Sequence, residues 1–140
     1  MNHNVTTKYL APTVLVVNNN QENLVSNSLI LDSLNQVHIS ILEDSNILSW
    51  VQQYQPDLII LDIGWSQIIN PQLIAALRLD WLTRNIPIMV IVGSTTQQIE
   101  ALEHLDYDAC LIKPYSAADL GKKICSLVST SACKMYSKKV

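Results

Sequence analysis

Four short polar segments, each directly following an apolar run, carry the residue types capable of chemistry: Asn18–Asn20, Asp62–Trp65, Gly93–Thr95 and Lys113–Tyr115. A carboxylate at Asp62 and an ammonium at Lys113 can, at the simplest, form an ion pair that fills a pocket. The three consecutive asparagines suit the cap of a helix, because their side-chain oxygens accept from first-turn N–H groups. Residue types for other chemistries are poorly placed. Cys110, Cys125 and Cys133 have no Cys-x-x-Cys spacing and no histidine cluster beside them. Neither a zinc site nor a disulfide framework follows, and they read as small apolar side chains in a reducing compartment. His3, His38 and His104 are scattered, as surface or strand-edge histidines are. The three glycines, Gly64, Gly93 and Gly121, put none in the first strand-to-helix loop, where a phosphate-cradling turn needs them.

The elements that position these segments follow from hydrophobic period. Val14–Val17, Val37–Leu42, Leu58–Leu61, Ile88–Val92 and Ala109–Ile112 are short and rich in Val, Ile and Leu. All but one are apolar at nearly every position, which fits strands buried on both faces of a parallel sheet. In Val37–Leu42 the polar His38 and Ser40 alternate with Val37, Ile39 and Ile41, so this strand belongs at an edge. Helical spacing fills the intervals at about Gln21–Leu34, Ser45–Tyr54, Pro71–Thr83, Thr96–Leu105 and Ala117–Val128. Asn70 before Pro71 marks one helix start, and Ser116 with Asp119 forms a capping-box signature at another. Five β-α units in succession predict right-handed crossovers and a doubly wound sheet, with function at the carboxyl ends of the strands.

Size and charge narrow the rest. A chain of 140 residues, 49% hydrophobic, fits one domain with a core between two helical layers. The repeat pattern spans residues 13–129, leaving 1–12 and 130–140 as tails, the second carrying Lys134, Lys138 and Lys139. Nine Lys and Arg against twelve Asp and Glu give a net charge of −3, without the basic excess that nucleic-acid binding uses. No signal peptide and no apolar stretch of roughly 18 residues is present, so the expectation is a soluble, cytoplasmic protein without a membrane partner.

The strand-end residues resemble those of a known family, the receiver domains of bacterial two-component response regulators. ThrValLeuValValAsnAsnAsnGlnGluAsn is similar to the first receiver strand and loop, and ProAspLeuIleIleLeuAspIle to the third strand with its phospho-acceptor. AsnIleProIleMetValIleVal resembles the fourth strand, and CysLeuIleLysProTyr the fifth with its Lys-Pro pair. The resemblance runs from Thr13 to Val128 and implies the flavodoxin-like (CheY-like) (βα)5 fold with strand order 2-1-3-4-5. It implies Asp62 as the nucleophile toward a phosphodonor, with a magnesium-like ion offsetting repulsion between anions. Lys113 would contact the acyl-phosphate oxygens, before a Pro114 that in the family follows a cis peptide, and the carbonyl of Gly64 would ligate the metal.

The chain also departs from that pattern. Asn18 and Asn19 stand where the family has two acidic residues, which removes up to two of three negative charges from the metal site and predicts weak Mg2+ binding or none. Val92 stands at the place of the switch Thr or Ser, with Ser94 or Thr95 able to substitute only if the loop shifts. Cys110 replaces the switch aromatic. Trp65, in the loop after Asp62, either covers the pocket, serves a partner or packs on the next helix.

The expectation is therefore a stand-alone receiver-like module, not an enzyme, that signals by protein–protein interaction with a degenerate phosphorylation pocket. Its partner would be a histidine kinase or a downstream regulator, or a second copy in a homodimer. The resemblance places the contact on the fourth and fifth expected helices and the fifth strand, including Thr96, Gln97, Glu100, Glu103, Tyr107, Lys122 and Lys123. A working phospho-receiver at Asp62 is the alternative, and a flavodoxin-like enzyme or nucleotide-binding module the remoter one.

Overall fold

The computed structural model describes residues 11–18, 33–40, 44–63 and 70–128. Among the described residues there are five strands and four α-helices, in the order β1 (Thr13–Asn18), β2 (Asn35–Ser40), α1 (Asp44–Tyr54), β3 (Leu58–Asp62), α2 (Pro71–Leu79), β4 (Ile88–Val92), α3 (Thr96–Ala101), β5 (Ala109–Ile112) and α4 (Ala117–Leu127). All strand pairs are parallel, in the order β2-β1-β3-β4-β5. This is the expected doubly wound order, and β2 is at an edge. The helix expected at Gln21–Leu34, apart from Ser33 and Leu34, lies outside the described residues, as do Asn19, Gly64, Trp65 and most of both tails.

Alternation along the strands sorts the core into two layers. Leu15, Val17, Ile59, Leu61, Val90 and Val92 pack on one face with Ile47, Val51, Ile74 and Leu77 from α1 and α2. Val14, Val16, Leu58, Ile60, Met89 and Ile91 pack on the other with Leu120 and Ile124 of α4. Each of these side chains, fully withdrawn from water, contributes about 1.5–3 kcal/mol, which is why strands apolar at every position run between two helical layers. Among the described residues no helix is long and apolar enough to cross a membrane.

Helix ends follow side-chain chemistry. Asn70 accepts from the Gln72 N–H at 3.0 Å with Pro71 in the first turn of α2. Ser116 and Asp119 complete a reciprocal capping box at α4. The helix expected over Pro71–Thr83 stops at Leu79. Thr83 Oγ1 donates to the Leu77 carbonyl at 2.6 Å and Asp80 Oδ2 accepts from the Leu82 N–H at 3.1 Å, so these side chains satisfy groups that further helix would have paired. Likewise Thr96–Leu105 is α-helical only to Ala101 and then makes a 3-10 turn, Leu102–His104. Gln55 ends α1 at φ 47°, a left-handed position ahead of Pro56.

The cysteine reading needs one correction. Cys110 is a free thiol, but Cys125 is disulfide-bonded to a partner outside the described residues. Pairing depends on Cα atoms coming within about 4.4–6.8 Å, which linear spacing does not reveal.

Candidate functional site

The register of the sheet assembles the site. Asn18, the last residue of β1, is the direct partner of Asp62, the last residue of β3. Adjacent strands lie about 4.8 Å apart and partnered side chains share a face, so the carboxamide and the carboxylate are neighbours. Both are buried, Asn18 at 4% and Asp62 at 3% exposure. Lys113 follows β5 immediately; its backbone N–H donates to the Val92 carbonyl at 2.8 Å, which fixes it on the end of β4. From there its side chain reaches across β4, placing Nζ 3.0 Å from Asp62 Oδ1 and 3.3 Å from the Ile63 carbonyl oxygen, to which it donates. At Oδ1 the contact is one of charge rather than a directed hydrogen bond. The Lys113–Pro114 peptide is cis.

This arrangement makes a buried ion pair. Withdrawing both charges from water costs several kcal/mol per ion, and their attraction offsets that cost only while both are present. The described donors facing the pocket are one carboxylate, already in contact with an ammonium, and one neutral carboxamide. A hard divalent cation favours several anionic oxygens, so this donor set fits it poorly. Asn19 and Gly64, the other two positions of the expected ligand set, lie outside the described residues. Among the described residues no group of three or more His, Cys, Asp or Glu is gathered as for a metal ion.

Two of the three expected switch positions share one face of the sheet. Val92 is fully buried in the layer packed by α1 and α2, and Cys110 packs partly buried against the same layer. Burial pushes the Cys110 thiol above its ordinary value, a trend that the positive charge of Lys123 opposes. Ser94 is exposed, and the Thr95 hydroxyl accepts from the Gln98 N–H at 3.2 Å as the cap of α3. Thr96, Gln97, Glu100, Glu103, Lys122 and Lys123 are exposed and Tyr107 is half-buried. Ile112, the last residue of β5, is 43% exposed, a large apolar side chain that the sequence reading did not single out.

Two more residues matter that sequence reasoning passed over. Gln98 is 2% exposed, and its Oε1 accepts from the Gly93 N–H at 2.7 Å. The signal was present: Thr95-x-x-Gln98 has capping-box spacing, in which the Gln at the third helical position reaches back toward the backbone ahead of the helix. Arg78, at the far end of the molecule, donates to the carbonyls of Arg84, Ile86 and Asp106 and to Asp108 Oδ2. A groove of about 300 Å³ runs past it, lined also by Ile74, Leu79, His104 and Leu105, well away from Asp62 along the fold.

No protein-family profile matches this chain, and no curated protein does. Solved structures do. The signal receiver domain of a signal transduction histidine kinase from Syntrophus aciditrophicus superposes with TM-score 0.69 at 19% identity, over 85% of this chain and 91% of that one. A response regulator receiver protein from Pseudomonas putida gives 0.62 at 24% identity, over 83% and 97%. The receiver domain of a sensor histidine kinase from Pseudomonas aeruginosa, whose structure holds a magnesium ion in the active-site cleft, gives 0.63 at 18%, over 86% and 99%. The fold of this chain is that of those domains.

Proposed function

We propose that this chain, which has the fold of response regulator receiver domains, is a two-component signalling module that acts by binding another protein, with a pocket ill-suited to metal-assisted phosphorylation. The observation that carries this reading is the pairing of Asp62 with Lys113 beside Asn18 rather than beside a second carboxylate. Asp62 acting as nucleophile toward phosphorus needs a cation to offset repulsion between the two anionic groups. Here Lys113 supplies one positive charge, which the Asp62 carboxylate itself already balances, and Asn18 adds no charge to recruit a second cation. Magnesium is thus proposed to bind weakly.

The contact surface in this reading is the face made by α3, β5 and α4. It presents Glu100 and Glu103 on one side, Lys122 and Lys123 on the other, and Ile112 between them, which is the pattern of an apolar centre with a charged rim. A histidine kinase or a downstream regulator with the opposite arrangement of charge fits it. A homodimer would use the same pattern.

The test of the pocket is intact mass after incubation with a small phosphodonor and magnesium. The unaltered chain is expected to gain little or no phosphate, whereas Asn18→Asp with Asn19→Asp gains some at Asp62. Ready, magnesium-dependent labelling of the unaltered chain would show a working phospho-receiver instead.

A further inference from the structure

Large apolar side chains gather where α2 ends. Leu79 is 84% exposed, Trp81 73%, Leu82 40% and, at the end of α1, Tyr54 48%. Leu79 and Trp81 are two residues apart, so their Cα atoms lie within about 7 Å of each other. Gln55 donates its amide to the Leu82 carbonyl at 3.1 Å, which brings the Tyr54 end of α1 alongside, and the Tyr54 ring stacks on Trp50 with centroids 4.8 Å apart. Soluble monomers seldom expose more than a few hundred Å² of apolar surface in one patch. Aromatic side chains carry about 150–250 Å² each, so this patch shows on the order of 400 Å² to water.

Leu79 also forms a wall of the groove of about 300 Å³, whose other apolar walls include Ile74, Ala75 and Leu105. A groove of this volume is at the small end of the range for binding sites and takes one large side chain rather than a helix. Asp106 on its rim, with its side chain 81% exposed, offers an acceptor to an indole N–H, which only donates. One surface thus carries a protruding indole and, beside it, a groove suited to an indole. Charge follows the same division. Arg84, three residues after Trp81, is exposed, and among the described residues no carboxylate pairs with it. Glu103 and Asp106, on either side of the groove residues His104 and Leu105, are exposed and acidic. Arg78 ties the two borders together, donating to the carbonyls of Arg84 at 3.1 Å and Asp106 at 3.0 Å. Such a surface is complementary to its own image, because a two-fold axis sets each half of one copy against the other half of the second.

We propose that this end of the molecule is a self-association surface, on which Trp81 of each copy enters the groove of a second copy and Arg84 meets its Asp106. Two such patches with their rims bury about 1,000 Å² in all, the lower bound for a specific interface, which corresponds to a Kd on the order of 10–100 µM. At the low-micromolar concentrations used for unfolding the copies are apart, so the contact does not enter the stability of a single chain. The pairing leaves the α3, β5 and α4 face of each copy open. A pair therefore presents two contact faces at once to a partner that is itself paired.

Sedimentation velocity of the full chain between about 5 and 500 µM reads the association, and 19F resonances of the chain labelled with 5-fluorotryptophan read the indole. The unaltered chain is expected to pass from monomer to dimer across that range, with the Trp81 resonance, identified by its loss in Trp81→Ser, moving in parallel. Trp81→Ser is expected to weaken the dimer at least about 100-fold, since each pair loses two buried aromatic anchors, and so to stay monomeric throughout. Ala75→Glu, on the exposed side of α2, puts a carboxylate into the groove and is expected to abolish both the dimer and the Trp81 shift, with the circular dichroism of the fold unchanged. A monomer at every concentration, a dimer that survives Ala75→Glu, or a dimer whose Trp81 resonance stays fixed would each overturn the proposal. Dissociation by Ile112→Glu with Trp81→Ser still dimeric would put the pairing on the α3, β5 and α4 face and overturn it as well.

Discussion

At the amino-terminal end of the sheet, Arg78 spreads its charge over three carbonyls and the Asp108 carboxylate, which is 41% exposed and also accepts the Ile88 N–H at 2.8 Å. At the carboxyl end, Lys113 meets one carboxylate that is 3% exposed and one carbonyl. The planar guanidinium, with donors fixed in a fork, ties the end of α2 to the segments entering β4 and β5. Solvent and several acceptors share that charge, so the loss of any one partner is tolerable. The ammonium at the other end is a point charge balanced by a single buried counter-charge. The two ends thus hold their cations differently, one among several acceptors that include a partly exposed carboxylate and the other against a single buried counter-charge.

The sharpest contrast should appear when one charge of each pair is removed. Lys113→Met leaves the Asp62 carboxylate buried without its cation and is expected to cost about 3–5 kcal/mol in urea unfolding. Adding Asp62→Asn should recover most of that loss, as the neutral carboxamide leaves no uncompensated charge to desolvate. If the double variant were as unstable as the single one, Lys113 would be acting through packing rather than charge. Arg78→Met should cost less, about 2–3 kcal/mol, because water reaches part of the site and replaces some of the lost bonds. Arg78→Lys should recover little of it, since a lysine cannot reproduce the fork. Trp81→Ser lies near the Arg78 end on an exposed surface, the residue being 73% exposed, and should change stability by no more than about 0.5 kcal/mol. A large effect there would mean that this end carries packing beyond the Arg78 contacts.

Strands were legible because a parallel sheet buried on both faces leaves runs such as Leu58–Leu61 and Ile88–Val92 no polar position. Asp62 and Lys113 were legible because each is the first charged residue after such a run. The end of α2 was not, because Asp80 and Thr83 compete for backbone groups through side-chain bonds that the apolar period does not register. Gln98 and Arg78 were missed for a related reason. Both have side chains that ordinarily face water, and only the tertiary arrangement turns Gln98 onto Gly93 and folds Arg78 over three carbonyls. The site's two extra bonds at Ile63 and Gly93 exist because the ladder ends where it does, a consequence of register rather than of residue type.

The central claim is that the carboxyl-end pocket is an occupied ion pair rather than a cation site, and a magnesium titration followed through the amide resonances of Asn18, Asp62, Ile63 and Lys113 tests it most directly. The unaltered chain is expected to show no saturable shift up to on the order of 10 mM magnesium, while Asn18→Asp, by restoring a second carboxylate beside Asp62, binds saturably within that range. Saturable binding by the unaltered chain at sub-millimolar magnesium, centred on Asp62, would contradict the account.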